Sequence, residues 1–257
     1  MDTEKLLCWE LKNNWLLEEK EGFKGWDFTR LDGRWEDEKI PWDYKEWVMK
    51  HLKPDHKLLD MGTGGGEFLL TLGHPYENTF VTEAWEPNVK LCKETLEPLG
   101  ICVKQAFEDE KLPFEDSSFD IIINRHESYH ISEIKRLLKQ NGLFITQPVG
   151  GKNNEFLSKT LIPNFRSLYP DLSLDIEAKK FSSEGFDILF ENEYFPFQRF
   201  FDVGAIVFYA KIMEWEFPGF TVDSCFDRLC SLQGILSEQG YIESFEHRFM
   251  IVAQNNK

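Results

Sequence analysis

The sequence predicts an α/β fold built on a doubly wound, mostly parallel sheet of seven strands. Short apolar runs alternate with helical patterns over residues 57–149, which is typical of a parallel sheet covered by helices on both faces. The first of these runs ends at Asp60, and glycines follow at positions 62, 64 and 66. This pattern indicates a strand that turns tightly into a helix, because glycine tolerates the positive φ that such turns use.

Up to residue 149 the chain is predicted to hold two helices and then five strands, with three further helices between the strands. Residues 4–19 have the apolar spacing of an amphipathic helix. Pro41 opens a second helix through residue 50, since its missing N–H is not needed at a helix start. The following elements are expected to be strand 57–61, helix 65–73, strand 79–83, helix 87–98, strand 101–105, strand 119–124, helix 130–140 and strand 142–149.

The second half is predicted to be mainly helical, with two further strands. The expected helices are 154–169, 174–184, 203–213 and 222–239, and the expected strands are 186–197 and 241–254. We divide the chain into an N-terminal helical cap, residues 1–50, and a larger domain, residues 51–257. In the larger domain, residues 51–150 form the ligand-binding core, and residues 151–240 supply substrate-side elements and a helical insert before the last strand.

The glycine turn is a candidate ligand site, because ligands of open α/β sheets bind at the carboxyl ends of the strands. A dinucleotide fingerprint would need a glycine at position 67, where Glu67 would instead repel a pyrophosphate. A P-loop would need a Gly-Lys-Ser/Thr ending, and none follows. The pattern D-x-G-x-G-x-G favours a ligand that has ribose hydroxyls and an amino group but no phosphate.

Five segments, in order, resemble the motifs of class I S-adenosylmethionine-dependent methyltransferases. Residues 60–66 (DMGTGGG) resemble the first motif, and residues 79–83 (TFVTE) resemble a second strand that ends in an acid. The other three are residues 108–114 (EDEKLPF), residues 118–124 (SFDIIIN) and the helix-turn-strand unit of residues 133–145. The general likeness is to the methyltransferases of ubiquinone and menaquinone biosynthesis. It implies a Rossmann-like methyltransferase sheet with an antiparallel final strand.

The resemblance implies S-adenosyl-L-methionine as the cofactor. Glu83 would accept hydrogen bonds from both ribose hydroxyls, a role that suits two carboxylate oxygens. Asp60 would hold the turn or receive the methionine amino group through water. Glu108 or Asp109 would accept from the adenine amino group, and the choice between them stays open. The expected cofactor contacts are Asp60, Gly62, Thr63, Gly64, Gly66, Glu83, Ala84, Trp85, Phe107, Glu108, Asp109 and Asn124.

The segment after the fourth strand of the core is the candidate catalytic region. Methyl transfer depends largely on proximity and orientation, and a general base is needed only if the attacking group must lose a proton. His126 titrates near neutral pH and is the candidate base. Glu127 would orient it or bind a cationic substrate, and Arg125 would hold a substrate carboxylate or pair with an acid. Alternatively, His126 and Glu127 cap the next helix. Gln147 and Asn153 are candidate polar contacts.

Aromatic residues are concentrated outside the common core. Six of the eight tryptophans lie in the first 47 residues, and 13 aromatic residues lie between positions 181 and 220. Because small-molecule pockets are lined by apolar and aromatic side chains, we expect the cap and the insert to cover the cofactor face. Trp42 and Tyr44 are the candidate substrate contacts. The alternative is that these aromatic residues pack peripheral helices against the sheet.

The net charge of −16, from 29 basic and 45 acidic residues, disfavours nucleic acid as a partner, since no cluster of Lys and Arg is present. No run of 18 apolar residues predicts a membrane span, and the start of the chain lacks the pattern of a signal peptide. Five cysteines without metal-like spacing indicate reduced thiols in a cytoplasmic protein, with no metal site. The oligomeric state stays open.

The sequence therefore predicts an enzyme that transfers a methyl group from S-adenosylmethionine to a small, partly apolar molecule by in-line displacement. Two alternatives remain. The first is a methyltransferase acting on protein or RNA, and the acidity of the chain disfavours RNA. The second is a protein that binds S-adenosylmethionine without transferring its methyl group, because fold and cofactor do not fix function.

Overall fold

The structure of the chain is a computed structural model that describes residues 3–23 and 27–256, with side chains from residue 9 onward. Trp26, one of the six tryptophans near the start of the chain, and the side chain of Cys8, one of the five cysteines, lie outside the described residues. The chain divides into two compact units. The larger unit comprises Pro41–Gly150, Asp171–Tyr194 and the segment from Arg248, and the smaller comprises the segment up to Ile40, Gly151–Pro170 and Phe195–His247. Residues 41–50, which the sequence analysis placed in the cap, therefore group with the larger unit.

The regular elements are numbered in chain order. The strands are β1 (Trp35–Asp37), β2 (Leu58–Met61), β3 (Thr79–Glu83), β4 (Cys102–Gln105), β5 (Phe119–Arg125), β6 (Leu138–Gln147), β7 (Phe186–Tyr194), β8 (Phe197–Phe200), β9 (Ile242–Phe245) and β10 (Arg248–Asn255). The helices are α1 (Thr3–Lys20), α2 (Tyr44–His51), α3 (Glu67–Leu70), α4 (Glu86–Thr95), α5 (Ile131–Leu137), α6 (Glu155–Leu161), α7 (Leu174–Ser183), α8 (Val203–Ile212) and α9 (Val222–Gln239).

The larger unit is built on a seven-stranded sheet in the order β4-β3-β2-β5-β6-β10-β7. The pairs from β4 to β6 are parallel, and β10 runs antiparallel to both of its neighbours, β6 and β7. The central strands are almost continuously buried, as at Ile121–Ile123, because helices cover both faces of such sheets. The predicted α/β fold class, with its mostly parallel seven-stranded sheet, is confirmed.

Two predicted strands are each divided between the two sheets of the protein. The predicted strand 186–197 separates into β7 and β8, and the predicted strand 241–254 separates into β9 and β10. The first break contains Pro196, which cannot donate a hydrogen bond to a strand ladder. At the second break Glu246 N donates to Pro196 O at 2.9 Å, and His247 N donates to Asn153 Oδ1 at 2.8 Å, so neither N–H continues a ladder.

The smaller unit contains the second sheet, an antiparallel one in the order β1-β8-β9, together with α1, α6, α8 and α9. The three-residue strand β1 was missed because it is too short to show alternation. The predicted helix 154–169 is also shorter, since α6 ends at Leu161 and Ile162, which precedes Pro163, is extended. Within the described part of the chain, no helix has both the length and the apolar character needed to cross a membrane.

Candidate active site

The glycine turn begins where β2 ends and is fixed by backbone hydrogen bonds. Gly62 N and Thr63 N both donate to Thr82 O, at 3.0 and 3.2 Å, which joins the turn to the end of β3. Gly62 has φ of +66° and Gly64 has φ of +63°, a region that side chains disfavour. The turn therefore presents backbone atoms rather than side chains at the carboxyl end of the sheet.

Glu83, at the end of β3, binds the turn through its carboxylate and is only 6% exposed. Its Oε2 accepts from Gly64 N at 2.9 Å, and its Oε1 accepts from Ala84 N and Trp85 N at 3.0 and 3.1 Å. A carboxylate has about four lone-pair positions, so three N–H donors leave it able to accept from a ligand hydroxyl. Glu83 thus combines a structural role with the acceptor capacity expected for a ribose contact.

Two large aromatic side chains stand exposed beside Glu83. Trp85 is 53% exposed and Phe107 is 77% exposed. They follow the neighbouring strands β3 and β4, whose ends are joined by the bond from Ala106 N to Glu83 O at 3.1 Å. Trp85 and Phe107, both predicted cofactor contacts, are therefore exposed near the carboxyl ends of β3 and β4.

The acidic side of the site lies against the turn. A Cβ added to Gly62 would lie 2.5 Å from Glu127 Cγ, so the Glu127 side chain packs directly on this glycine. Ser128 Oγ donates to Asp109 Oδ2 at 2.5 Å, and Ser128 N donates to Glu127 Oε1 at 3.0 Å. Burial, reinforced by the charges of Glu83 and Asp109, raises the pKa of Glu127.

Asp60 is the buried acid at the end of β2. Its side chain is 6% exposed, and burial raises its pKa to about 7 even though Thr63 and Arg125 act in the opposite direction. A pKa of about 7 leaves Asp60 partly protonated near neutral pH.

Tyr44 and Asn124 contribute their polar atoms mainly to the sheet. The Tyr44 hydroxyl lies 3.1 Å from Asn124 O and 3.2 Å from Ile145 O, and it accepts from Asn124 N at 3.2 Å. The buried Asn124 side chain accepts from Thr146 Oγ1 at 2.9 Å. Tyr44 thus joins β5 to β6 beneath the candidate site.

A second group of predicted site residues meets at the ends of β5 and β6. His126 has φ of +64°, which is uncommon outside glycine, and its N–H donates to Gln147 O at 3.1 Å. Gln147 Nε2 lies 3.5 Å from His126 Nε2, and Trp42 Nε1 donates to Gln147 Oε1 at 2.8 Å. These contacts bring three of the predicted residues, one of them the candidate base, into a single chain of polar contacts.

Two arginines, Arg125 and Arg248, place positive charge near His126. Burial by surrounding protein atoms, followed by the charges of Arg248 and Arg125, lowers the pKa of His126 well below its usual value. By its accessible surface, the side chain is nevertheless exposed to solvent. Arg125 is exposed, and its guanidinium carbon lies 4.5 Å from the ring centroid of Phe68.

The structure adds residues that the sequence did not indicate. Arg248 belongs to β10 and reaches the site only through the order of the strands. Ser128 connects two acids, and the Cys92 thiol donates to Gly64 O at 3.1 Å. By contrast, Asn153 lies in the smaller unit, where its Nδ2 donates to Glu216 Oε1 at 2.7 Å.

A mostly parallel sheet of this order, with a glycine turn and an acid at the ends of adjacent strands, defines a Rossmann-like fold. The family described as a methyltransferase domain matches residues 59–146, from β2 to β6. This match, together with the similar proteins described next, confirms the predicted resemblance to class I S-adenosylmethionine-dependent methyltransferases. The predicted enzyme class is confirmed.

Several known proteins are similar to this chain. The uncharacterized protein MJ0638 of Methanocaldococcus jannaschii is 26% identical over 173 residues, which cover 65% of this chain and 70% of the relative. The uncharacterized methyltransferase YcgJ of Bacillus subtilis is 29% identical over 102 residues, covering 36% of this chain and 40% of YcgJ.

Solved structures share the fold at low sequence identity. The crystal structure of YcgJ has a TM-score of 0.54 at 17% identity and covers 83% of this chain and 98% of YcgJ. The structure of BH2331 from Bacillus halodurans has a TM-score of 0.55 at 15% identity and covers 84% of this chain and 99% of that protein.

Proposed function

We propose that this protein transfers the methyl group of S-adenosylmethionine to a small, partly apolar molecule. The observation that carries the proposal is the packing of Glu127 on Gly62. It places the polar segment that follows β5, residues 126–128, against the turn expected to hold the cofactor. A bound methyl donor and an acceptor held by this segment would therefore be neighbours, as an in-line displacement requires.

The cofactor would be held by residues on two sides of the turn. Glu83 would accept from the ribose, while Trp85 and Phe107 would stack on the adenine through their exposed faces. Glu127 and Asp109 place negative charge beside the turn, which favours a cationic group over an anionic one. When bound, S-adenosylmethionine supplies a methyl group already activated by its sulfonium. The protein then needs only to orient the acceptor and exclude water.

Charge and side-chain chemistry support a small molecule as the acceptor. A chain with a net charge of −16 is poorly suited to a phosphate backbone. At the end of β5, the Phe68 ring under Arg125 gives the acceptor side an apolar surface beside its polar groups. Such a mixture suits a compact, partly apolar molecule.

The test combines cofactor binding with transfer of a labelled methyl group. Calorimetry with S-adenosylhomocysteine measures whether the site binds the cofactor product. Incubation with methyl-labelled S-adenosylmethionine and a metabolite extract, bulk RNA or denatured protein then identifies the acceptor class. We expect binding and label in the metabolite fraction.

Each alternative gives a different result. Label in RNA or protein, but not in metabolites, would identify a macromolecular acceptor and contradict the proposal. Tight binding of the cofactor product without transfer to any fraction would indicate a protein that binds the cofactor but does not use it. Failure to bind the cofactor product would contradict the assignment of the site itself.

A further inference from the structure

We propose that the methyl acceptor carries an anionic group, such as a carboxylate, which Arg125 and the Nδ1–H of His126 hold at the end of β5, where Arg248 adds positive charge. This inference rests on the proposed methyl-transfer function and names the chemistry of its acceptor. It also assigns Trp42 and Gln147 as positioning residues of His126.

The order of the strands brings the two arginines to one edge of the sheet, the edge at which β5 and β6 end and β10 begins. Arg125 is the last residue of β5 and is the Cα partner of Gln147, the last residue of β6. Just beyond β6, Val149 forms an antiparallel bridge with Arg248, the first residue of β10. Three neighbouring strands therefore contribute to this edge, and the charges of both arginines act on His126.

The contact with Trp42 settles the orientation of the Gln147 amide. The indole N–H can only donate, so the atom 2.8 Å from it is the amide oxygen. The amide nitrogen of Gln147 then faces His126 Nε2 at 3.5 Å. Because an amide NH₂ can only donate, His126 Nε2 must accept, and the proton of the neutral ring lies on Nδ1.

This tautomer changes the expected role of His126. Its one basic lone pair is directed at Gln147, so the ring offers the acceptor a donor, Nδ1–H, instead of a base. The guanidinium groups of Arg125 and Arg248 also only donate. Arg125 and the Nδ1–H of His126 therefore share one requirement, an acceptor oxygen, and an anionic oxygen satisfies it best.

The charges around the edge favour the same ligand. In a chain with 45 acidic residues, no described carboxylate lies within ion-pair distance of Arg125, which contacts the Phe68 ring instead. The acids of the site, Glu83, Asp109 and Glu127, act on one another beside the glycine turn. The site thus has an acidic side, suited to a sulfonium, and a basic side, suited to an anion.

Two molecules could supply that anion: the acceptor, or the methionine portion of the cofactor. The experiment separates them with a cofactor fragment that has no carboxylate. His126 is followed by NMR in labelled full-length protein across a pH titration, and its resonance is assigned by its loss in His126→Gln. The additions are 5′-methylthioadenosine, S-adenosylhomocysteine, benzoate and the neutral control benzamide.

We expect benzoate to raise the pKa of His126 in the presence of S-adenosylhomocysteine, because a bound anion offsets the charges of the arginines. Benzamide should produce no such shift. Arg125→Gln should weaken benzoate binding about tenfold or more, since it removes a charge-assisted hydrogen bond. The matched control Arg166→Gln, at an exposed arginine of the smaller unit, should bind benzoate as the wild type does.

Other outcomes would overturn the inference. If S-adenosylhomocysteine alone raises the pKa of His126, 5′-methylthioadenosine does not, and benzoate adds nothing, the arginines bind the cofactor carboxylate. If benzamide binds as well as benzoate, the edge does not select for charge. In both cases the calorimetry and labelling results would still support methyl transfer, so failure of this inference is distinguishable from failure of the proposed function.

Discussion

At the scale of single residues, two glycines with the same backbone conformation have very different surroundings. Gly62 has φ of +66° and Gly73 has φ of +62°. A Cβ at Gly62 would lie 2.5 Å from Glu127, whereas a Cβ at Gly73 would meet nothing within 4 Å. Alanine substitutions at these two glycines therefore separate two costs in the free energy of unfolding. One is the strain of a positive φ, and the other is the overpacking between the turn and Glu127.

We expect Gly62→Ala to lower the free energy of unfolding by about 1–3 kcal/mol more than Gly73→Ala, because it adds overpacking to the shared backbone strain. Adding Glu127→Gly to Gly62→Ala should recover much of this difference, because Glu127 Cβ would also lie 2.6 Å from the new Cβ and an alanine at position 127 would retain it. Urea unfolding of the four proteins measures the effect. Equal losses at the two glycines would show that Glu127 does not restrict the turn.

Glu83 is expected to control cofactor affinity. Glu83→Ala removes the proposed acceptor for the ribose and releases the N–H of Gly64, so it should weaken binding of S-adenosylhomocysteine by about 10- to 150-fold, equivalent to roughly 1.5–3 kcal/mol. Calorimetry measures the change. Glu77→Ala, at an exposed acid, is the matched control and should bind normally. Unchanged affinity in Glu83→Ala would contradict the ribose assignment.

Asp60 predicts a specific dependence of stability on pH. Folding raises its pKa from an ordinary value of 3.8 to about 7, so between these values the folded state holds a proton that the unfolded state has lost. The free energy of unfolding should therefore fall as pH rises from about 4 to about 7, by up to about 1.4 kcal/mol per pH unit, and then level off. Asp60→Asn should remove this contribution.

Urea unfolding of the wild type and Asp60→Asn at several pH values isolates the effect, because the difference between the two proteins cancels other titrating groups. The stability of the wild type relative to Asp60→Asn should decline across this range. A difference that is constant between pH 4 and pH 8 would show that the pKa of Asp60 is not raised by folding.

At the scale of elements, α2 supports the sheet through the hydroxyl of Tyr44, its first residue. This hydroxyl bonds to the backbone of β5 and of β6. Tyr44→Phe should lower the free energy of unfolding by about 1–3 kcal/mol, since buried backbone groups lose a partner. Tyr76→Phe, at a residue 40% exposed, should have little effect. Equal losses in the two variants would contradict this role.

The elements also show what local pattern predicts and what it misses. The succession of strands and helices along the chain from β2 to β6 was predictable because each strand is an apolar run bounded by turns. The divisions at 194–197 and 245–248 were not, because both halves of each predicted strand have strand-like composition. What separates them is Pro196 and a side chain, Asn153, that is distant in sequence from β9 and β10.

At the scale of the whole molecule, a local sequence motif indicates the candidate cofactor side of the site, whereas the candidate acceptor side depends on residues that are distant in sequence. Gly62, Gly64 and Glu83 lie within 22 residues of one another, so a local motif identifies them. Arg248 lies more than 100 residues from Arg125 in sequence, and only the position of β10 beside β6 brings their charges onto one histidine. A motif read along the chain cannot contain such a pair.

The position of β10 also has a consequence for biosynthesis. The chain makes the edge strand β7 first, and 53 residues separate its end from the start of β10, which lies between β6 and β7. While the ribosome is still adding those residues, β6 has an unpaired edge of the kind that recruits foreign strands. We therefore expect a nascent chain arrested before Arg248 to be a strong client of chaperones, and one extended past β10 to be released from them.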